Sequence, residues 1–158
     1  MPRITTFLAY ETRAQEAVDL YLSIFKHSRI VRTTYYGESG PGAQGSVMTI
    51  DFELNGQPFT ALNGGSHFKF TDGISLSVDC ETQAEIDAYW EELSAGGEQG
   101  PCGWLRDRFG VWWQVNPTIL GEMLHDPDPR RASRVMQAML KMKKIDIEGL
   151  KQAFEAGT

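Results

Sequence analysis

Trp104-Leu105-Arg106-Asp107-Arg108-Phe109-Gly110-Val111-Trp112-Trp113-Gln114-Val115 reads as the end of one strand, a tight Asp-Arg-Phe-Gly turn and a second strand running back. Side chains alternate across a strand, so Trp112, Gln114 and Asn116 share one face and Val111, Trp113 and Val115 the other. The second face is apolar and suits a core. The first sets an amide beside an aromatic ring, and an amide on a buried face needs partners that a ligand or ordered water can supply. Asp107 and Arg108 read as fixing the turn, as a surface ion pair worth under about 1 kcal/mol.

Outward from this hairpin, Gly100 to Leu105 continues the strand, and Gly96-Gly97 ends a helix as glycine does at a C-terminal cap. That helix starts at Thr82, with Glu85 as capping-box partner and a stripe of Ile86, Tyr89, Trp90 and Leu93. Ahead of it Ile74, Leu76, Val78 and Cys80 alternate with Ser75, Ser77 and Asp79, which predicts a strand with one polar face. The same order occurs earlier in the chain. Ile4 to Tyr10 is an apolar strand, and Thr12 with Gln15 predicts the cap of a helix. The apolar stripe of that helix is Ala14, Ala17, Val18, Tyr21, Leu22 and Phe25. Ser28 to Tyr36 reads as a strand, and Gly37 to Gly42 as a loop.

Val47 to Leu54 sets Met48, Ile50, Phe52 and Leu54 on one face and Val47, Thr49, Asp51 and Glu53 on the other. Asn55-Gly56 then predicts a hairpin turn, because both residues tolerate positive φ. Pro58 opens the returning strand, Phe59 to Asn63. The two capping threonines lie about 70 residues apart, at matching points of two strand–helix–strands units. The chain therefore reads as an internal duplication with little residue identity between its halves.

A helical tail follows. Asp128 is the expected N-cap, with Pro129 at the first helical position. Ala132, Val135, Met136, Met139 and Leu140 form the expected apolar face, and Asp146 the cap of a last helix using Ile147, Leu150 and Phe154. The tail is expected to pack on its own domain or on a dimer partner.

At 158 residues and 41% hydrophobic content, the chain can bury an ordinary core. Its net charge is −6 and no cation run precedes Lys141-Met142-Lys143-Lys144, so nucleic acid is not an expected partner. No apolar run reaches the roughly 20 residues that span a bilayer, and the first residues lack a secretory pattern. A cytoplasmic protein without a membrane partner is expected. Cys80 and Cys102 are too far apart in sequence for a CxxC motif and read as small apolar fillers.

The order and spacing of several segments resemble the PhnB-like branch of the vicinal oxygen chelate (glyoxalase/bleomycin-resistance) superfamily. They are Glu16-Ala17-Val18-Asp19-Leu20-Tyr21, Ala61-Leu62-Asn63-Gly64-Gly65 with Phe68-Lys69-Phe70, Ile74-Ser75-Leu76-Ser77-Val78, Gly96-Gly97, and Pro101-Cys102-Gly103-Trp104 through Gln114. The resemblance spans roughly residues 3 to 116. It implies an α+β fold of two βαβββ modules, residues 1–66 and 67–117, whose mixed sheets combine into a cup as one structural domain. Residues 118–158 are then a C-terminal helical extension.

Members are usually homodimers, with activities spanning isomerases, dioxygenases, thiol transferases and antibiotic sequestration, so the fold alone does not imply a reaction. The branch often carries the label demethylubiquinone methyltransferase. A nucleotide-type methyl donor normally sits at a glycine-rich turn between a parallel strand and a helix, and the glycines at 37–45, 64–65 and 96–97 are not so placed.

Enzymes of the superfamily hold a metal with His or Gln on the first strand, Glu on the fourth, His or Gln on the fifth and Glu on the eighth. Here the first strand offers no such donor, and the fourth ends in Asn63. The fifth offers Ser75 and Ser77 with Asp72 just ahead, and Gln114 stands where the family's last glutamate would be. A neutral amide presents a dipole where a carboxylate presents a charge, so affinity for a divalent cation should fall. His27, His67 and His125 lie off the strands. No metal and no cofactor are expected.

The expected ligand-binding residues are Asn63, Phe68, Phe70, Ser75, Trp104, Trp112 and Gln114. No catalytic set is defensible from spacing. The expected function is a homodimeric, metal-independent cup that binds a small apolar or aromatic molecule. The alternatives are a divalent-metal enzyme using Asp72, Asn63 and Gln114, and an interaction protein whose tail serves a partner.

Overall fold

Two strand–helix–strand–strand–strand units follow one another along the chain, and each closes a four-stranded sheet of the same order. The computed structural model describes residues 1–157. It divides into one compact unit from Met1 to Phe70 and a second beginning at Thr71.

In the first unit β1 (Thr6–Tyr10) leads into α1 (Ala14–Ile24), then β2 (Ser28–Tyr35), β3 (Val47–Leu54) and β4 (Gln57–Asn63). The sheet order is β1-β4-β3-β2, with β1 parallel to β4 and the other pairs antiparallel. Alternation places Leu8, Tyr10, Ile50, Phe52, Leu54, Phe59 and Ala61 in the core with Ala17, Val18 and Tyr21 of α1. The Asn55-Gly56 turn forms as expected, with φ of 49° and 85°. Burial of the helix stripe, and the hydrogen bond between the Tyr10 and Tyr21 hydroxyls at 3.1 Å, fix the helix on the sheet.

Two local expectations fail here. Ile4 lies outside β1 and is fully exposed, since the strand begins only where β4 offers it a ladder at Thr6. Thr12 does not cap α1: no side chain of the adjoining turn makes the cap bond, and the Ala14 N–H instead donates to Asn63 Oδ1 from the end of β4 at 2.9 Å.

The second unit repeats the order as β5 (Leu76–Cys80), α2 (Gln83–Ser94), β6 (Glu98–Gln99), β7 (Trp104–Arg106) and β8 (Trp112–Pro117). Its sheet is β5-β8-β7-β6, again with one parallel pair, β5 with β8. Thr82 caps α2 as its sequence predicts, accepting from the Glu85 N–H at 3.2 Å. Gly97 is required by packing: a Cβ there would strike the carbonyl of Arg106. Cys80, Leu105, Val111, Trp113 and Val115 face Ile86, Trp90 and Leu93 of α2 in the core. Ile74 falls outside β5 and is exposed, and Gly100 to Gly103 is a turn that the Trp104 carbonyl closes by accepting from the Gly100 N–H.

The tail forms α3 (Thr118–Leu124), α4 (Pro129–Met139) and α5 (Ile147–Glu155). Asp128 and Asp146 cap α4 and α5, as expected, and Pro129 holds the first position of α4. Leu120, Met123, Val135, Ile145 and Leu150 make a satellite core. The expected apolar face of α4 is only partly used: Val135 is buried, while Met136 and Leu140 stay exposed.

The tail docks on the second unit through backbone bonds, from Cys102 N to Met142 O and from Gly103 N to Lys143 O, both 2.8 Å. Gln83 adds a clamp. Its amide donates to Ile145 O at 3.0 Å and accepts from Ile147 N at 2.9 Å. No helix among the described residues is long and apolar enough to cross a membrane.

Candidate ligand-binding face

The register of the second sheet gathers three of the expected site residues, Trp104, Trp112 and Gln114, on the face opposite α2. Trp104 on β7 lies directly across from Gln114 on β8, and Ser77 on β5 flanks Gln114 from the other side. Trp112 precedes Gln114 by two residues, so it projects to the same face, as does Asn116. Trp104, Trp112, Gln114 and Asn116 are all half-buried, while Trp113 and Val115 between them are buried on the helix side.

A neutral polar chain runs along this face. Gln114 Nε2 donates to Ser75 Oγ at 2.9 Å, and Asn116 Nδ2 donates to Gln114 Oε1 at 3.3 Å. Asn116 also reaches Ser77 Oγ at 3.4 Å, a long and weak contact. An amide has two donor and two acceptor positions, so Gln114 retains one N–H and one lone pair after these bonds. The face thus offers both a donor and an acceptor beside two indole rings. Charge enters at Asp79, which lies across from Asn116 and accepts from Ser77 Oγ at 3.4 Å, and at Arg106, whose Nη2 pairs with Glu98 Oε1 at 2.6 Å.

The turn that aims β8 is built differently from the surface ion pair expected of it. Asp107 is 2% exposed. Its Oδ1 accepts from the N–H groups of Phe109 and Val111 at 2.9 and 3.0 Å, and its Oδ2 accepts from the Trp113 indole at 2.9 Å. Arg108 does not pair with it; the guanidinium donates through Nε to the Ala95 carbonyl at the end of α2, at 3.0 Å. Asp107 is therefore an internal anchor, and the sequence signal for it was the Trp six residues on, whose indole N–H needs an acceptor when buried.

The other expected site residues lie in the first unit. Asn63 turns to the helix-covered side, where Oδ1 accepts from Ala14 N at 2.9 Å and Nδ2 donates to Val47 O at 3.1 Å. Its backbone carbonyl accepts from the Tyr36 hydroxyl at 2.6 Å. A cavity of about 350 Å³, bordered by Glu11, Thr12, Tyr36, Gly42 and Asn63, opens beside these bonds. Phe70 packs edge-on against Tyr10 with centroids 5.1 Å apart. Phe68 is 49% exposed, its ring resting on Gly64.

A divalent cation finds poor ligands on the second unit's open face. Ser75, Gln114 and Asn116 supply neutral oxygens already engaged with one another. Among the described residues no three His, Cys, Asp or Glu side chains are grouped to hold a metal ion. A methyl-donor nucleotide fits no better, because β1 leads into α1 through Glu11-Thr12-Arg13 and β5 into α2 through Glu81-Thr82, without glycine. Cys80 is no nucleophile: burial first, then the nearby Glu85 and Asp79 charges, push its thiol up to about 12.

Residues 2–116 match the family model described as 3-demethylubiquinone-9 3-methyltransferase. The fold is similar to a PhnB protein from Bacillus cereus bearing the same description, with 39% identity and a TM-score of 0.66 over 74% of this chain and 100% of that one. It is also similar to protein PA1353 from Pseudomonas aeruginosa, with 21% identity and a TM-score of 0.62 over 74% of this chain and 98% of that one. The fosfomycin resistance protein FosX from Listeria monocytogenes shares the fold at 15% identity and a TM-score of 0.51, over 77% of this chain and 97% of that one. No curated protein matches the chain. The tail beyond residue 116 lies outside the family match.

Proposed function

We propose that this chain, which belongs to the PhnB-like family described as 3-demethylubiquinone-9 3-methyltransferase, binds a small neutral aromatic molecule on the open face of its second unit, without a metal ion. One observation carries the reading: the Ser75–Gln114–Asn116 chain of neutral donors and acceptors lies on the same sheet face as Trp104 and Trp112. Flat indoles supply stacking area, and a side-chain amide with one free donor and acceptor sets the orientation of a polar ring substituent. In this reading the protein works as a homodimer, as is usual in the superfamily, and sequesters or presents its ligand.

The donor chemistry supports binding rather than metal-assisted turnover. A solved form of the Listeria FosX holds Mn(II), whereas the amides here can offer a cation only dipoles. The glycine-free turns before α1 and α2 support setting aside a methyl transfer from a nucleotide donor for this chain.

Native mass spectrometry of freshly purified protein, with elemental analysis of the same sample, tests both halves of the proposal. A dimer carrying a small organic mass and no stoichiometric metal is expected, and about one divalent ion per chain would overturn it. The co-purified molecule can then be titrated against tryptophan fluorescence. Gln114→Ala should weaken binding about tenfold with the thermal midpoint nearly unchanged. Equal affinity in the variant would remove Gln114 from the site.

A further inference from the structure

Trp90 of α2 is only 5% exposed, yet no described residue accepts from its indole N–H. Trp113, buried as deeply, has the Asp107 carboxylate for that purpose. A tryptophan N–H in such surroundings takes an acceptor where one is in reach. Among the described residues no side-chain nitrogen or oxygen is both sealed from solvent and unpaired. The N–H is therefore the part of Trp90 that reaches open space, and it does so in a cavity of about 550 Å³ between α2, β6 and the tail. Asp87 and Glu91 share the wall with Trp90, since residues three and four apart lie on one helix stripe. Gln99 of β6 and Lys143 and Lys144 of the tail complete it.

The charges in this cavity sort into one spent pair and one open pair. Asp87 Oδ1 takes Lys144 Nζ at 2.8 Å and Gln83 Nε2 at 3.0 Å. Gln99 donates its Nε2 to Ser94 Oγ at 3.2 Å, which leaves its carbonyl oxygen to accept. Glu91 and Lys143 make no side-chain ion pair among the described residues. The walls thus hold one open ammonium, one open carboxylate, an indole donor and an amide acceptor, with no apolar floor beyond the edge of Trp90. Lys143 is fixed in place by its backbone, whose carbonyl accepts from Gly103 N at 2.8 Å, and by the neighbouring Lys144–Asp87 pair.

We infer that this cavity binds a small zwitterion, a free α-amino acid with a short or polar side chain. Its carboxylate takes Lys143 and the Trp90 N–H, and its ammonium group takes Glu91 and the Gln99 carbonyl oxygen. Hydrogen bonds between charged groups are the stronger kind, so both ends of the ligand contribute. A plain anion would be repelled by Glu91 and a plain cation by Lys143, which selects a molecule carrying both charges. Half of the site comes from the tail, beyond residue 116 where the family match ends. The inference gives that extension a role and stands apart from the tryptophan face proposed above.

The probe is L-serine, titrated into the full chain and followed by the indole N–H resonances in NMR, with Trp90→Phe assigning the Trp90 signal. N-acetyl-L-serine, which lacks the ammonium charge, and L-serinamide, which lacks the carboxylate, are the controls. At about pH 6.5 the free α-amino groups are protonated. Serine is expected to move the Trp90 resonance and to bind at least about fivefold more tightly than either control. Lys143→Gln and Glu91→Gln should each weaken serine about fivefold. Both side chains are exposed, so folding should survive, and circular dichroism checks it. Equal binding of the three compounds, or no binding of serine at millimolar concentration, overturns the proposal. Unchanged affinity in both charge variants overturns it, and so do shifts confined to the Trp104 and Trp112 indoles.

Discussion

The indole N–H of Trp113 donates to Oδ2 of Asp107 at 2.9 Å, inside the core of the second unit. The other carboxylate oxygen holds the N–H groups of Phe109 and Val111, so one side chain fixes both the turn and the first residues of β8. Asp107→Ala strands three buried donors and should cost about 3 kcal/mol in urea unfolding. Trp113→Phe removes one of those bonds, and the two substitutions together should be less costly than their sum by about 1 kcal/mol. Additive effects would mean that the indole–carboxylate bond carries no energy.

Helix α1 takes its cap from a distant strand, and this too can be measured. Asn63→Ala removes the acceptor of the Ala14 N–H and the donor to Val47 O, and should destabilise the protein by about 1–2 kcal/mol. Thr12→Ala should change stability by less than about 0.5 kcal/mol, since no cap bond reaches α1 from its own turn. The reverse ranking would restore Thr12 as the cap.

That pair of residues marks where the sequence stops being legible. Period-2 and period-3.6 patterns found both βαβββ units and the tail, because burial of alternating or striped apolar residues is a local code. Thr82 and Asp128 could be read as caps because they lie beside the helices they serve. Asn63 lies 49 residues from the amide it caps, and no local rule pairs them. Asp107 was misjudged for a related reason. Flanked by two arginines, it looks like half of a surface ion pair, and only the fold shows that Trp113 turns inward to claim it. On the open face of the second unit, parity alone aligned Trp112, Gln114 and Asn116, whereas the bond from Gln114 to Ser75 depends on the parallel register of β5 and β8.

Acid should act on the first unit through Asp51. The Thr60 hydroxyl, and after it Arg32, hold its carboxyl below the usual carboxylate value. A group whose folded pKa is depressed contributes stability above its unfolded pKa of about 3.9, and that stability is lost as pH falls through the folded value. Asp51→Asn should therefore flatten the fall in stability below about pH 4. Thr60→Val should move the Asp51 carboxyl resonance back toward the ordinary titration range. An unchanged titration in Thr60→Val would show that Arg32 alone depresses it.

Metal ions give the sharpest contrast between the two chemistries open to this fold. A cation that binds the folded chain and not the unfolded one must raise the midpoint of thermal unfolding with concentration. The open face of the second unit offers Ser75, Gln114 and Asn116, which hold one another through two hydrogen bonds. A cation would have to break those contacts and shed water for neutral oxygens and the single carboxylate of Asp79, so neither EDTA nor Mn(II) in the micromolar range should shift the midpoint. Gln114→Glu sets a carboxylate in place of the amide on this face, and a Mn(II)-dependent rise confined to that variant would trace the missing affinity to this single side chain. A rise in the unsubstituted protein that Gln114→Ala abolishes would instead make this face a metal centre.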